Sequence, residues 1–211
     1  IRWIQRMPKM IRVVIAEDEA IIRLDLKESL EAEGYAVIGE TGRGDEAIDL
    51  ARMLEPDLVI LDIKMPGMNG IDVAKVISDE GLAAVILLTA FSQQDLIQEA
   101  TNAGVLAYLV KPFQRSDLVP SIELALGRFK EISDLKQETL MLQESLQTRK
   151  LVDRAKGLLI DSYGLKESDA YRYLQKKAME DRTTMKAVAE DILTDSSKLD
   201  AGPPEKMDKK A

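Results

Sequence analysis

From Met10 to about Arg128, short apolar runs alternate with amphipathic stretches. The runs are Ile11 to Ala16, Ala36 to Ile38, Leu58 to Leu61, Ala84 to Leu88 and Leu106 to Val110. Most are continuous rather than alternating, which predicts strands covered on both faces. Between them lie stretches with helical spacing, such as Ile21, Ile22, Leu24, Leu26 and Leu30, or Ala47, Leu50, Ala51 and Leu54. Five strands alternating with five helices predict an α/β domain over residues 11–128, a doubly wound, five-stranded parallel sheet.

Beyond it, Ser116 to about Thr148 predicts one long helix, of which residues 129–148 form a connector. Its apolar positions Ala125, Ile132, Leu135, Leu142 and Leu146 follow a heptad that Arg128 and Thr139 interrupt. Both a short coiled coil and a helix packed on its own chain fit that pattern. Residues 149–194 predict an all-α bundle of three helices. Their stripes are Leu151, Val152, Ala155, Leu158 and Leu159, then Ala170, Tyr171, Leu174 and Ala178, then Met185, Val188, Ala189, Ile192 and Leu193. Gly164 suits the end of the first helix, and Thr183 or Thr184 the start of the third. Residues 1–10 read as an N-terminal extension without the apolar stretch of a secretory signal, and residues 195–211 as a flexible tail.

Composition narrows the chemistry. The chain has 211 residues, with no histidine and no cysteine. That excludes Ser-His-Asp catalysis, thiol nucleophiles, disulfides and zinc sites built on imidazole or thiolate, and leaves oxygen-held hard cations as the metals of choice. No apolar run approaches the roughly 18–20 residues that span a bilayer, so no membrane partner is expected and a cytoplasmic location is. Charge is unevenly divided. Residues 11–128 carry 10 basic against 21 acidic residues, whereas residues 149–186 carry 10 against 6. The two halves are therefore expected to meet different partners.

In an open parallel sheet the ligand site lies beyond the carboxyl ends of the strands. There the first strand gives Glu17-Asp18-Glu19, the third Asp62, the fourth Thr89 and the fifth Lys111-Pro112. Each acid alone reads as an ordinary capping or loop residue. Together, crowded carboxylates need compensation from Lys111 or from a cation such as Mg²⁺. The motifs Ile15-Ala16-Glu17-Asp18-Glu19, Leu61-Asp62-Ile63-Lys64-Met65-Pro66-Gly67-Met68-Asn69-Gly70, Leu88-Thr89-Ala90 and Val110-Lys111-Pro112-Phe113 resemble the receiver domain of two-component response regulators. The resemblance implies a flavodoxin-like fold and a signalling module rather than an enzyme, with Asp62 accepting a phosphoryl group. It implies Mg²⁺ held by Asp18, Asp62 and the carbonyl of Lys64, with Glu17 acting through water. Lys111 would pair with the phosphoryl oxygens, and Lys111-Pro112 would be a cis peptide. Thr89 and Tyr108 would form the switch, although Tyr108 reads equally as an edge-strand aromatic in water. A separate histidine kinase is the expected donor, because this chain has no histidine to phosphorylate.

In the second half, Arg154-Ala155-Lys156-Gly157-Leu158-Leu159, Asp169-Ala170-Tyr171 with Leu174, Lys177-Ala178-Met179 and Met185-Lys186-Ala187-Val188-Ala189 resemble the ANTAR domain, an RNA-binding antitermination module. Lys166 departs from it, standing in a turn where members often carry a small capping residue. The resemblance implies hairpin RNA in nascent transcripts as the target, and transcription antitermination as the outcome. Arg154, Lys156, Arg172 and Lys176 are the expected phosphate contacts. Tyr171 or Tyr173 could stack on a base, but Tyr171 lies on the apolar stripe and reads as core. The sequence leaves open a homodimer formed on phosphorylation or RNA binding. A DNA-binding output and a protein-interaction output are the alternatives.

Overall fold

The computed structural model describes residues 10–90 and 97–194. The extension before Met10 and the tail after Thr194 lie outside the described residues. The chain divides into two compact units, Ile1–Leu135 and Lys136–Ala211.

The first unit runs β1 (Arg12–Ala16), α1 (Ala20–Ala32), β2 (Ala36–Thr41), α2 (Gly44–Leu54), β3 (Leu58–Asp62), α3 (Gly70–Glu80), β4 (Ala84–Ala90), α4 (Ile97–Asn102), β5 (Ala107–Lys111) and the start of α5 (Arg115–Tyr163). The sheet is parallel, in the order β2-β1-β3-β4-β5. This is the flavodoxin-like order, with its switch point between β1 and β3.

The continuous apolar runs are explained by two cores. Strand side chains alternate faces. Val14, Ala16, Val59, Leu61, Val85 and Leu87 therefore meet the helices α2, α3 and α4 through residues such as Ala47, Val73, Ile77 and Ala100. Val13, Ile15, Leu58, Ile60, Ile86 and Leu88 face the other way, toward Leu26 and Leu30 of α1 and Leu118, Ile122 and Ala125 of α5. β5 is covered less fully than predicted, since Tyr108 and Val110 are exposed.

One helix face also differs from the expectation. On α1 the buried positions are Leu26, Ser29 and Leu30, with Ile22 half-buried, whereas Ile21 and Leu24 point to solvent. The helical period was legible, but apolar residues on two sides of the first turns left its phase undetermined.

α5 continues for 49 residues, giving Leu118, Ile122 and Ala125 to the core of the first unit and Val152, Ala155 and Leu159 to that of the second. At its start the Asp117 carboxylate reaches back to accept from Gln114 N at 2.9 Å, satisfying a donor at the helix entrance. Between Ile132 and Leu146 its apolar residues are exposed.

The second unit packs the end of α5 against α6 (Glu167–Glu180) and α7 (Met185–Thr194). Val152, Ala155, Leu159, Ala170, Leu174, Ala178, Val188, Ala189 and Ile192 form its core. Gly164, at φ +66°, ends α5 and donates to Ile160 O at 2.8 Å. Thr184 starts α7, its hydroxyl accepting from Ala187 N at 3.2 Å. Lys166 stands at the N-cap of α6, where its side chain makes no capping hydrogen bond. Among the described residues no helix is long and apolar enough to cross a membrane.

Candidate functional site

The carboxyl ends of β1, β3 and β5 carry Glu17, Asp62 and Lys111 into contact. Lys111 Nζ lies 2.6 Å from Glu17 Oε2 and 2.7 Å from Asp62 Oδ1. Glu17 is wholly buried and Asp62 is only 7% exposed. Asp62 Oδ2 accepts from Lys64 N at 3.0 Å, so Lys64 meets the acid through its own backbone. Glu17 Oε1 accepts from Glu19 N at 3.2 Å, and Glu17 N donates to Thr41 O at 3.0 Å. The Arg23 guanidinium also donates to the Glu17 carbonyl, fixing the turn that leaves β1.

One ammonium does not balance this site. Burial pushes the Glu17 carboxyl above its ordinary range, the adjacent Lys111 ammonium pulls it back, and the negative charge of Asp62 adds to the push. For Lys111, burial works against the charged form, but Asp62 and Glu17 together outweigh it and hold the ammonium firmly protonated. Glu17 is thus the carboxyl whose charged form burial and the neighbouring Asp62 disfavour. Its Oε2, though in ion-pair contact, finds no partner at hydrogen-bonding angles among the described residues. Glu17, Asp18 and Asp62 each offer an oxygen, and these oxygens all lie within 4.8 Å of one another. An all-oxygen donor set in which three carboxylates share one ammonium carries excess negative charge and suits a hard divalent cation such as Mg²⁺.

The backbone beneath Asp62 is tightly held. Asn69 caps α3, accepting from Ile71 N and Asp72 N at 2.9 Å each. Gly70 N donates to Ile63 O at 2.8 Å. A Cβ on Gly70 would stand 2.0 Å from the Asp62 carbonyl oxygen, so only glycine permits this approach. Gly70 belongs to the motif read from the sequence, but its role as a floor under Asp62 needed the structure to emerge.

Thr89 is buried at the end of β4, and its hydroxyl donates to Ala90 O at 3.1 Å. Tyr108 is 51% exposed, and it and Thr89 line one cavity of about 460 Å³. The Lys111–Pro112 peptide is cis.

In the second unit the four basic residues expected at phosphate differ in surroundings. Arg154 and Arg172 are exposed. Lys176 is exposed and lies 3.6 Å from Glu180 Oε1. The Lys156 side chain is only 16% exposed and sits between Asp153 Oδ1 at 2.9 Å and Glu167 Oε1 at 3.0 Å, linking α5 to the start of α6. The i,i+3 spacing of Asp153 and Lys156 is a sequence signal for half of that clamp. The tyrosines reverse the expectation. Tyr173 packs against the core, whereas Tyr171 is 46% exposed.

Residues 13–123 match the response regulator receiver domain, and residues 141–193 match the ANTAR domain. The chain belongs to the receiver–ANTAR response regulators. This response regulator is 56% identical over 182 residues to the transcriptional regulatory protein PdtaR of Mycobacterium tuberculosis, a match that covers 86% of this chain and 89% of PdtaR. It is 41% identical over 112 residues to the chemotaxis protein CheY of Thermotoga maritima, covering 53% of this chain and 93% of that one. Among solved structures, the response regulator domain of Thermotoga maritima CheB superposes with a TM-score of 0.53 at 27% identity, covering 56% of this chain and 98% of that one. The receiver is a signalling module rather than a catalytic enzyme in the usual sense, and receivers use Mg²⁺ for phosphoryl transfer. A receiver followed by ANTAR is the architecture of a phosphorylation-regulated RNA-binding output.

Proposed function

We propose that this response regulator accepts a phosphoryl group on Asp62 from a partner histidine kinase, and that the modified receiver promotes binding of the ANTAR unit to hairpin RNA in nascent transcripts. The observation that carries the first half is the buried Glu17–Lys111–Asp62 cluster with its uncompensated charge. The second half rests on the ANTAR match.

An Asp62 carboxylate oxygen forms the new O–P bond while the P–N bond to the kinase histidine breaks. The imidazole nitrogen departs with the electron pair and takes up a proton. Lys111, already bridging the two acids, is placed to follow the charge onto the phosphoryl oxygens. Glu17, Asp18, Asp62 and the Lys64 carbonyl would hold Mg²⁺, which when bound supplies the charge neutralisation that phosphoryl transfer depends on. The new group adds roughly −1.5 to −2 charge and strong acceptor oxygens. Thr89 would turn its hydroxyl toward them, and Tyr108, on the wall of the same cavity, would take the room released.

On the output side, Arg154, Arg172 and Lys176 are the proposed phosphate contacts, whereas Lys156 acts chiefly as a strut. Occupied transcripts would fail to form a terminator hairpin, giving antitermination in the cytoplasm. The exposed heptad residues Ile132, Leu142 and Leu146 on α5 offer a second copy of the same helix an identical seam, which supports an activated homodimer.

Asp62→Asn is expected to abolish acid-labile labelling by kinase or acetyl phosphate in Mg²⁺. Acid-stable labelling that survives the change would overturn the assignment. Electrophoretic shift with hairpin RNA against duplex DNA at matched salt tests the output, and a preference for duplex DNA would sink the RNA reading.

A further inference from the structure

The second unit carries an open groove of about 810 Å³ between one face of α5 and residues of α6 and α7. Val152, Met185 and the ring of Tyr171 give it an apolar lining, and Arg149 and Lys186 stand on its walls. Tyr171 contributes little to the core. Tyr173 takes the packed position two residues on, and Tyr171 keeps 46% of its surface exposed. An exposed aromatic ring flanked by cations is the arrangement by which proteins stack bases and hold the backbone beside them.

The charges favour the same occupant. Arg149 and Lys186 make no ion pair among the described residues, so neither side chain is locked to an acid and both can turn to a ligand. Of the two acids on the groove, Asp153 is paired at 2.9 Å with Lys156, which it shares with Glu167, and Glu144 lies on α5 at the end away from Lys156, so the lining carries three cations against two acids. The volume falls within the roughly 300–1,000 Å³ of small-ligand sites, ample for one extruded nucleotide.

Resting on the RNA-binding reading, we infer that this groove receives an unpaired nucleotide of the RNA, its base stacked on Tyr171 and its phosphates beside Arg149 and Lys186. Recognition is then of a looped-out base rather than of duplex, as the deep, narrow major groove of A-form RNA favours.

The test uses the full-length chain activated with beryllofluoride and Mg²⁺. Hairpin RNAs are selected on the unaltered chain from a pool with randomised loops, and 2-aminopurine is then placed at each loop position in turn. At one position, binding is expected to quench the fluorescence by stacking, and Tyr171→Phe should preserve both quench and affinity. Tyr171→Ala should lose the quench and bind on the order of ten- to a hundredfold more weakly. Arg149→Gln and Lys186→Gln should each weaken binding and lower the salt slope by about 0.7. Tight RNA binding without quench at any loop position, or with Tyr171→Ala folded and unimpaired, overturns the groove while leaving RNA binding intact. Should Tyr171→Ala fail to fold, the quench in the unaltered chain and the two glutamine variants decide. If the unaltered chain selects no hairpin, the RNA reading itself fails and the groove assignment falls with it.

Discussion

At the scale of single residues, the site is built from groups that are each poorly satisfied alone. Glu17 is buried beside Asp62, with Lys111 as their shared counter-charge. Asp62 in turn stands on Gly70, where any side chain would collide with the Asp62 carbonyl. Gly70→Ala is therefore expected to cost about 1–3 kcal/mol in denaturant unfolding, the usual range for overpacking, and to slow Asp62 labelling by moving the loop. Unchanged stability with unchanged labelling would show that the loop yields freely. A second residue-scale prediction concerns Lys156. Its hydrogen bond holds the Asp153 carboxyl below the ordinary aspartate range, and the Arg149 charge assists. Because the folded value is the lower one, this pairing favours the fold above the unfolded carboxyl pKa and is lost as pH falls through the folded value. In Lys156→Gln the Asp153 carboxyl should titrate at higher pH, which carboxyl carbon NMR would report; an unmoved titration would remove Lys156 as its partner.

Among the elements, α5 is the one that the sequence divided and the structure joined. A connector and a separate output helix were expected, yet the helix runs on to Tyr163, and the one hydrogen bond that Pro120 cannot donate falls near its start, within two turns of Arg115. Gly157 lies within it, and glycine costs only about 1 kcal/mol in a helix interior, too little to break so long an element. The first clear stop is Gly164 in the left-handed conformation. Leu142 and Leu146 are exposed on this helix, at heptad positions. Leu142→Ser with Leu146→Ser should leave the helical circular dichroism nearly unchanged but hold the phosphorylated protein at monomer mass in sedimentation. A phosphorylated double variant that still sediments as a dimer would place the seam elsewhere. The pattern leaves the phase of α1 open as well, because Ile21 and Leu24 match a helical stripe as well as the buried Leu26 and Leu30 do.

For the molecule as a whole, phosphorylation-controlled RNA binding requires coupling between two sites on two units, and coupling must be reciprocal. If beryllofluoride raises hairpin-RNA affinity by some factor, saturating RNA must raise receiver affinity for beryllofluoride by the same factor. Beryllofluoride affinity in Mg²⁺, measured by titration calorimetry with and without the selected hairpin, tests this. A large effect of beryllofluoride on RNA binding with none in return would mean that the two measurements do not share one equilibrium. Typical couplings are about 1–3 kcal/mol, so a five- to hundredfold effect is the expected scale.

The strand runs, their order of alternation with helices and the acids at their ends were legible because each depends on short-range rules: side-chain alternation, helical period and motif spacing. They determined the doubly wound sheet and drew attention to Glu17, Asp18, Asp62, Thr89 and Lys111. The family motifs gave the two modules. Burial and partnership were decided only by the tertiary structure, because they depend on residues distant in the chain. Period alone could not say that Tyr171 faces out while Tyr173 packs, or that Lys156 lies against Glu167. Nor could it reveal that the backbone beneath Asp62 comes too close to Gly70 for even a methyl group.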